Sequence, residues 1–244
     1  MDTQDRLLDG RLTLRQPAKG YRAGLDAALL AAACDARAGE RVLDAGCGVG
    51  GVLLAAAWRR SHASFAGVEK DRAALVLAQG NIRRNRLDDR VTAMEGDVGA
   101  PFVALGLRPF DAALANPPFF DDATRLRAPA EAKRGAWIAT EGFAGWARFL
   151  VSAVREGGSI TVIHRADRLA DILGALAARS GSFQIRPVHP FADAPAKRVI
   201  VRAVRGGKAP LQLLPPLILH ERGGAKHTAP IEAILRGEAG VDWL

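Results

Sequence analysis

The chain has 244 residues, of which 49% are hydrophobic and 25% charged, the balance of an ordinary globular protein. It contains no run of 18 or more apolar residues and no apolar core at its N-terminus, so we expect neither a transmembrane helix nor a signal peptide. The net charge of +8 favours a polyanionic partner such as RNA, although a composition rich in Ala and Arg gives the same excess without any such partner.

The cysteines and histidines form no metal-binding pattern. Cys34 and Cys47 are the two cysteines, and they are not spaced as a CxxC pair. This argues for a reducing compartment and against a zinc site, so we expect a cytoplasmic protein without a bound metal. The histidines have no ligand spacing and are predicted to be surface or loop residues: His62, His164, His189, His220 and His227.

Strands and helices are predicted to alternate through most of the chain, after a strand hairpin or arm at Met1–Lys19 and a buried helix at Leu25–Ala36. The predicted strands that follow are Arg41–Asp44, Ser64–Glu69, Val91–Glu95, Phe110–Ala115, Ser159–His164, Phe183–Val188 and Arg198–Val204. The predicted helices are Gly51–Arg60, Asp71–Arg86, Thr140–Arg155 and Asp167–Ala178. This alternation predicts a doubly wound α/β fold.

The whole chain is predicted to be one domain. Residues 1–36 would form an N-terminal arm and helix, 37–205 a catalytic core, and 206–244 a C-terminal extension. The extension is predicted to be irregular, with Leu211–His220 as a candidate last strand, and a long polar loop is predicted at Asp121–Arg134.

A glycine-rich turn follows the first strand of the core. Its pattern is Asp-x-Gly-x-Gly-x-Gly, which differs from the dinucleotide pattern GxGxxG. The residues of this turn that are predicted to bind a cofactor are Asp44, Gly46, Cys47, Gly48 and Gly50. Glycines let the backbone approach a ligand closely, and the following helix N-terminus offers free N–H groups. A leading carboxylate would repel a pyrophosphate, so Asp44 fits a ligand with a cationic amino group, such as the methionine end of S-adenosylmethionine.

Acidic residues end the next two strands. Glu69 is placed to accept the hydroxyl groups of a ribose, and Asp97 to accept a hydrogen bond from an adenine amino group. Lys70, Gly96 and Val98 flank these acids and are included in the predicted cofactor site. Open α/β sheets bind ligands at the carboxyl ends of their strands, where all of these residues are expected.

The sequence Asn116-Pro117-Pro118-Phe119 follows the apolar strand Phe110–Ala115. It suits the methylation of an amine that is conjugated to an aromatic ring, because such an amine needs acceptors for both of its N–H groups before its nitrogen can attack. The Asn116 side chain and a backbone carbonyl can supply those acceptors, the prolines stiffen the turn, and Phe119 can stack on a flat base. By itself, however, Asn-Pro-Pro also describes a simple rigid turn.

With these motifs the chain resembles the class I S-adenosylmethionine-dependent methyltransferases that have an Asn-Pro-Pro-aromatic motif. Within them it is most similar to the bacterial tRNA1(Val) adenine-37 N6-methyltransferase family. The segments that carry the resemblance are Gln16-Pro17, Gly20-Tyr21-Arg22, Asp26–Ala31, the glycine turn, Asn116–Phe119, His227–Pro230 and Leu235–Gly237.

The resemblance implies a Rossmann-like sheet of seven mostly parallel strands, the last of them antiparallel, with helices on both faces. It also implies S-adenosylmethionine as cofactor and a flipped-out adenine in a tRNA anticodon loop as methyl acceptor. The glycine turn would hold the methionine moiety, Glu69 the ribose and Asp97 the adenine ring, with Arg22 and Asp26 lining the cofactor side. Asn116 and Pro117 would accept from the target amine, and Phe119 would stack on the target base. Many relatives have Tyr where this chain has Phe119.

Other acceptors remain open. Phe at this position also occurs in enzymes that methylate the exocyclic amine of guanine in ribosomal RNA, and the same motif occurs in enzymes that methylate a protein glutamine side chain at N5. A non-enzymatic alternative is a cofactor fold that serves only as an RNA-binding module. The sequence indicates no oligomeric state. Candidate RNA-docking cations are Arg83, Arg84, Arg86, Arg125, Arg127, Lys133, Arg134, Arg222 and Lys226, with the loop group 125–134 preferred because it follows Phe119.

Overall fold

The computed structural model describes residues 2–18, 22–118 and 142–243. Within these segments the strands are β1 Asp2–Leu7, β2 Leu12–Pro17, β3 Arg41–Ala45, β4 Ser64–Glu69, β5 Val91–Glu95, β6 Phe110–Ala115, β7 Val154–Arg165, β8 Ser180–His189, β9 Arg198–Arg205, β10 Gln212–Leu213 and β11 Leu217–Ile218. The α-helices are α1 Leu25–Ala32, α2 Gly51–Arg59, α3 Arg72–Arg84, α4 Phe143–Ala153, α5 Leu169–Ala177 and α6 Ala229–Arg236. Short 3-10 turns occupy Phe102–Leu105 and Ala166–Arg168.

The central sheet has the strand order β10-β8-β9-β7-β6-β3-β4-β5, with β11 also paired to β8. Strand β9 runs antiparallel to both of its neighbours, β7 and β8, while the other paired strands of this sheet are parallel. The predicted mostly parallel sheet with an antiparallel last long strand is therefore confirmed. The two-residue strands β10 and β11 extend it beyond the seven strands expected.

Helices cover both faces of the sheet, because side chains of the central strands point alternately to opposite sides. Val42, Ala112 and Leu114 join a core with α1, α2, α3 and α6. Leu43 and Ala113 join a second core with α4 and α5 on the opposite face. None of the helices in the described segments is long and apolar enough to span a bilayer.

The N-terminal residues form the predicted hairpin, in which β1 and β2 make a separate two-stranded antiparallel sheet. The helix predicted at Leu25–Ala36 ends earlier, at Ala32. Asp71, the first residue of the predicted helix Asp71–Arg86, caps α3, since its side chain accepts hydrogen bonds from the backbone N–H groups of Ala73 and Ala74.

The C-terminal extension is irregular over much of its length, as predicted, but it contains a helix that was not predicted. Residues 229–236 form α6, which begins after Thr228, has a proline in its first turn and ends at Gly237 in the left-handed conformation. The candidate strand Leu211–His220 is reduced to β10 and β11, because the prolines between them cannot donate to a ladder.

Candidate active site

The ends of three adjacent strands bring the predicted site residues together. Ala45 of β3 pairs with Val68 of β4 on one side and with Ala115 of β6 on the other. The next residues along each chain segment are Gly46, Glu69 and Asn116, so they lie at the same level of the sheet edge. Paired strands lie about 4.8 Å apart, which places the three within one crevice at the carboxyl edge.

The glycine turn has a backbone that other residues would rarely adopt. Gly46, Gly48 and Gly50 have φ values of 68°, 55° and 91°. A Cβ on Gly46 would lie 2.6 Å from the indole ring of Trp146 on α4, whereas a Cβ on Gly48 would meet no atom of the described segments within 4 Å. Gly46 is thus required for packing, and Gly48 borders open space that a ligand can fill.

Glu69 connects the glycine turn to the loop after β4. One carboxylate oxygen accepts the backbone N–H of Gly48 at 2.8 Å, and the other accepts the N–H of Asp71 at 2.8 Å. Each carboxylate oxygen can accept a second hydrogen bond. Glu69 therefore holds the turn in place and keeps acceptor capacity for ligand hydroxyls.

Asp97 is held between two donors. Its carboxylate forms a 2.6 Å ion pair with Lys70 and accepts the backbone N–H of Gly99 at 2.8 Å. Burial raises its pKa, but the Lys70 ammonium and the Gly99 N–H outweigh this and hold the pKa below the ordinary value. Gly96 is needed for packing, because a Cβ there would lie 2.7 Å from Val68, and Val98 is buried.

Asp44 is the buried carboxyl group of the site. Its Oδ2 atom has no hydrogen-bond partner among the residues that the structure describes, and only 2% of the residue is exposed. Burial raises the pKa of Asp44 from 3.8 to about 8, the charge of Glu69 raises it further, and a hydrogen bond from the Leu53 backbone lowers it. An unpaired acceptor at the base of the glycine turn fits the cationic amino group of the cofactor.

Cys47 contributes its backbone rather than a reactive thiol. Its N–H donates to Val68 at 3.0 Å, and its carbonyl accepts the Gly50 N–H at 2.9 Å. Its sulfur packs so closely on β4 that a Cβ on Gly67 would lie 2.6 Å away. Burial raises the pKa of the Cys47 thiol well above its ordinary value, so the thiol is neutral at physiological pH.

Arg22 and Asp26, predicted on the cofactor side, bind other parts of the chain. Arg22 donates to the Pro17 carbonyl at 2.8 Å and forms a 2.5 Å ion pair with Asp5 of the hairpin. Asp26 forms a 3.0 Å ion pair with Arg198 at the start of β9. Both side chains thus fasten α1 and the segment before it to neighbouring elements.

In the Asn-Pro-Pro-Phe motif, Asn116 is partly exposed, Pro117 is buried and Pro118 is exposed. Phe119 and the loop cations Arg125, Arg127, Lys133 and Arg134 lie outside the described residues, as does the rest of 119–141.

Two residues near the motif were not predicted as part of the site. His164 lies on β7 two positions beyond Val162, which pairs with Ala115, and it is buried, so the prediction that it is a surface or loop residue is wrong. Burial lowers the pKa of His164 below its ordinary value. The Trp146 indole N–H is buried and has no partner in the described part of the chain, and the six-membered ring of the same side chain packs against Gly46. Nothing in the local sequence distinguishes these residues, because their position follows from strand register and helix packing.

Metal ligands are not gathered anywhere in the described segments, where no group of three or more His, Cys, Asp or Glu side chains could hold an ion. The side chains at the strand ends instead suit an organic ligand with a cation, hydroxyl groups and a flat ring.

Comparison with known proteins agrees with this description. Residues 22–132 match the model of the Methyltransferase small domain. The chain is 29% identical to the tRNA1(Val) (adenine(37)-N6)-methyltransferase of Trichodesmium erythraeum over 83% of this chain and 84% of the relative. It is 31% identical to the release factor glutamine methyltransferase of Gloeobacter violaceus, over 69% of this chain and 60% of the relative. The crystal structure of a predicted O-methyltransferase from Agrobacterium tumefaciens superimposes with a TM-score of 0.75 and 26% identity, covering 88% of this chain and 98% of that one.

Fold, site and relatives define one class of enzyme. The chain belongs to the class I S-adenosylmethionine-dependent methyltransferases, and among them it resembles the tRNA1(Val) adenine-N6 methyltransferases. S-adenosylmethionine is accordingly its cofactor.

Proposed function

We propose that this methyltransferase modifies an exocyclic amine of an RNA base, N6 of an adenine in a tRNA anticodon loop. The observation that carries the proposal is the register at the sheet edge: Asn116 follows Ala115, whose partner Ala45 directly precedes the glycine turn. The residue whose amide oxygen binds the acceptor amine, Asn116, therefore lies one strand away from the turn that binds the methyl donor. The similarity to tRNA adenine methyltransferases supports this acceptor over others.

When bound, the cofactor supplies an electrophilic methyl group on a sulfonium. The protein's part is to position the acceptor, because an in-line transfer needs alignment more than proton removal. The Asn116 amide oxygen and the Pro117 carbonyl accept the two N–H groups of the target amine and free its nitrogen lone pair. As the nitrogen gains positive charge, these acceptors stabilise it, and the extra proton then leaves to water.

The positions of the candidate RNA-docking cations divide them into two groups. Arg83 and Arg84 end α3, which starts at the carboxyl edge of the sheet and runs back for about 20 Å, so they lie on the side away from Asn116. Arg222 and Lys226 follow β11, whose Ile218 pairs with the last residue of β8 at the carboxyl edge. The tail cations are therefore on the same edge as the site.

A concave, partly aromatic surface accompanies the tail cations. A cavity of about 560 Å³ is lined by Phe191, Asp193, Ile218, His220, Glu221 and Arg222, among others, and Arg222 forms a 3.1 Å ion pair with Asp193. The Arg222 guanidinium carbon lies 4.6 Å from the centroid of the Phe191 ring, and the centroid of the His220 ring lies 5.6 Å from that of Phe191. Rings beside cations are the usual means of holding unpaired nucleotides, so this cavity is proposed as the dock for RNA next to the target base.

A second candidate acceptor is the side-chain amide of a protein glutamine, favoured by the similarity to the release factor enzyme. Its nitrogen is conjugated to a carbonyl and needs the same two acceptors.

Labelled S-adenosylmethionine distinguishes the acceptors when the protein is incubated separately with total tRNA, ribosomal RNA and total protein. We expect label in tRNA and, after digestion to nucleosides, in N6-methyladenosine. Label confined to protein or to guanosine would overturn the proposal in favour of the corresponding alternative.

Asn116→Ala is expected to lower turnover by at least about 100-fold, because one of the two acceptors for the reacting amine is lost. Its dissociation constant for S-adenosylhomocysteine, measured by calorimetry, should stay within about threefold of wild type, since the cofactor contacts come from the other strands. Near-normal turnover in this variant would contradict the role given to Asn116.

A further inference from the structure

Two asparagines one turn apart, Asn81 on α3 and Asn85 at its C-cap, bind the outer edge of the N-terminal hairpin. Asn85 accepts the backbone N–H of Thr13 at 2.9 Å and donates to the Thr13 carbonyl at 2.8 Å. Asn81 accepts the N–H of Arg15 at 2.8 Å and donates to the Arg15 carbonyl at 2.9 Å. Each side-chain amide thus pairs with β2 as a neighbouring strand would, at alternate residues of its free edge.

Asn81 makes one contact that Asn85 does not. Its Nδ2 atom also donates to the Val49 carbonyl at 3.0 Å, and the residue is fully buried. Val49 lies between Gly48 and Gly50 in the glycine turn. An amide nitrogen has two N–H groups, and Asn81 uses one for the hairpin and one for the turn.

A second contact joins the same elements. The Gln16 side chain of β2 is buried and accepts the backbone N–H of Ala23 at 2.9 Å. Ala23 in turn packs so closely on the start of α2 that a Cβ on Gly51 would lie 2.3 Å from its own Cβ. The hairpin therefore reaches both the middle and the end of the glycine turn.

We propose that Asn81 is a positioning residue for the cofactor and that the N-terminal hairpin holds it in place. The Val49 carbonyl shares a peptide plane with the Gly50 N–H, which closes the turn by donating to the Cys47 carbonyl at 2.9 Å. Because glycine flanks Val49 on both sides, this plane can rotate at little cost unless something holds it. The Asn81 amide holds its carbonyl, and the edge of β2 holds the Asn81 amide.

The inference rests on the proposed binding of the cofactor at the glycine turn and is independent of the methyl acceptor. Asn81→Ala and Asn85→Ala form a matched pair, because each removes one asparagine pairing with β2 and one further hydrogen bond. For Asn81 that bond goes to the Val49 carbonyl of the glycine turn, and for Asn85 it goes to the Asn81 backbone carbonyl at 2.7 Å, within the helix end. We expect Asn81→Ala to weaken S-adenosylhomocysteine binding about tenfold and Asn85→Ala less than twofold. Calorimetry at a temperature where both are folded measures the affinity, and urea unfolding measures how far each is destabilised.

The comparison separates a positioning role from a structural one. If the two variants lose stability to a similar extent and only Asn81→Ala loses affinity, the proposal stands. If both bind equally well, or both lose affinity in proportion to stability, Asn81 is only a structural residue and the proposal fails. If wild type itself does not bind the cofactor product, the proposed function fails and this inference fails with it.

Should Asn81→Ala not fold, Arg15→Pro and Thr13→Pro replace the pair and leave α3 intact. Proline removes the backbone N–H that Asn81 or Asn85 accepts, at residues of an edge strand whose polar groups face away from β1. Only Arg15→Pro should weaken cofactor binding, and equal affinities would again refute the proposal.

Hydrogen exchange in the wild-type protein tests whether ligand binding at the glycine turn also stabilises the hairpin. This effect is expected because thermodynamic linkage is reciprocal. Cofactor product should slow exchange of the Arg15 amide, because the Asn81 side chain that accepts this amide also binds the glycine turn. Exchange at Arg15 that is unaffected by the ligand would show that turn and hairpin are independent.

Discussion

Asp44 couples cofactor binding to a proton at the scale of a single residue. Without a ligand the enclosed carboxyl group is largely protonated at neutral pH, because its pKa is about 8. A cation at the unpaired Oδ2 atom favours the charged form and lowers the pKa. Binding of the cofactor's ammonium should therefore release a proton from this group.

Asp44→Asn tests this directly through the pH dependence of stability. The folded-state pKa is raised above 3.8, so the group stabilises the fold fully below about pH 4, and this contribution is lost as the pH rises toward about 8. The variant should remove a slope of up to about 1.4 kcal/mol per pH unit from the free energy of unfolding in this window. Urea unfolding at pH 5, 7 and 9 measures the slope, and cofactor affinity should fall at least about tenfold.

Asp111→Asn is the control, because the pKa of Asp111 is shifted in the opposite direction to that of Asp44. Burial raises the pKa of Asp111, but the Arg41 backbone N–H and the Arg155 side chain lower it more, and the net shift is downward. Its stabilising contribution is therefore present above the unfolded pKa and lost as the pH falls. This variant should lose stability at neutral pH and bind the cofactor normally, whereas an unchanged slope in Asp44→Asn would contradict the buried, protonated carboxyl group.

At the level of secondary-structure elements, the C-terminal tail packs against α1 and α2. Ile231 and Ile234 of α6 are buried in the core formed with α1 and α2. The Trp243 indole N–H donates to the Ala33 carbonyl at 2.9 Å, and Arg59 of α2 donates to the Ala239 carbonyl at 2.7 Å. The tail thus braces the two helices that support the glycine turn.

Ile231→Ala is expected to lower the free energy of unfolding by about 2–4 kcal/mol, because it leaves a cavity where a fully buried side chain was. Urea unfolding followed by circular dichroism measures the loss. Val103→Ala is the comparison, since Val103 is 81% exposed and its truncation should change stability by less than about 0.5 kcal/mol. Equal effects would mean that α6 is not packed as described.

Sequence reasoning worked for elements whose signals are local and failed where the cause is tertiary. The glycine turn, the acids at the strand ends and the capping of α3 by Asp71 could be predicted because each follows from short-range patterns. Helix α6 had local signals too, in Thr228, Pro230 and Gly237, but its short apolar face lies in a polar tail. The contacts of Asn81 and the burial of His164 could not be predicted, because they depend on which distant elements meet.

On the scale of the whole molecule, the net charge of +8 matters through its distribution over the two edges of the sheet. Arg222 and Lys226 lie at the carboxyl edge with Asn116, and Arg83 and Arg84 at the other edge. All four side chains belong to exposed residues. Long-range attraction of RNA by the net charge would depend equally on both pairs. Docking of RNA at the site would depend on Arg222 and Lys226 alone.

Neutralising one pair at a time separates these possibilities, because each double variant lowers the net charge by the same two units. Arg222→Ala with Lys226→Ala should raise the KM for the RNA about tenfold and reduce the salt dependence of binding by about 1.4 in log–log slope, the value for two phosphate contacts on a single strand. Arg83→Ala with Arg84→Ala should change the KM less than about threefold, since these residues are on the far side. Affinity for the cofactor product, measured in parallel, should be unchanged in both. Equal losses in the two variants would mean that RNA is attracted by total charge, and that the cavity near Phe191 is not its dock.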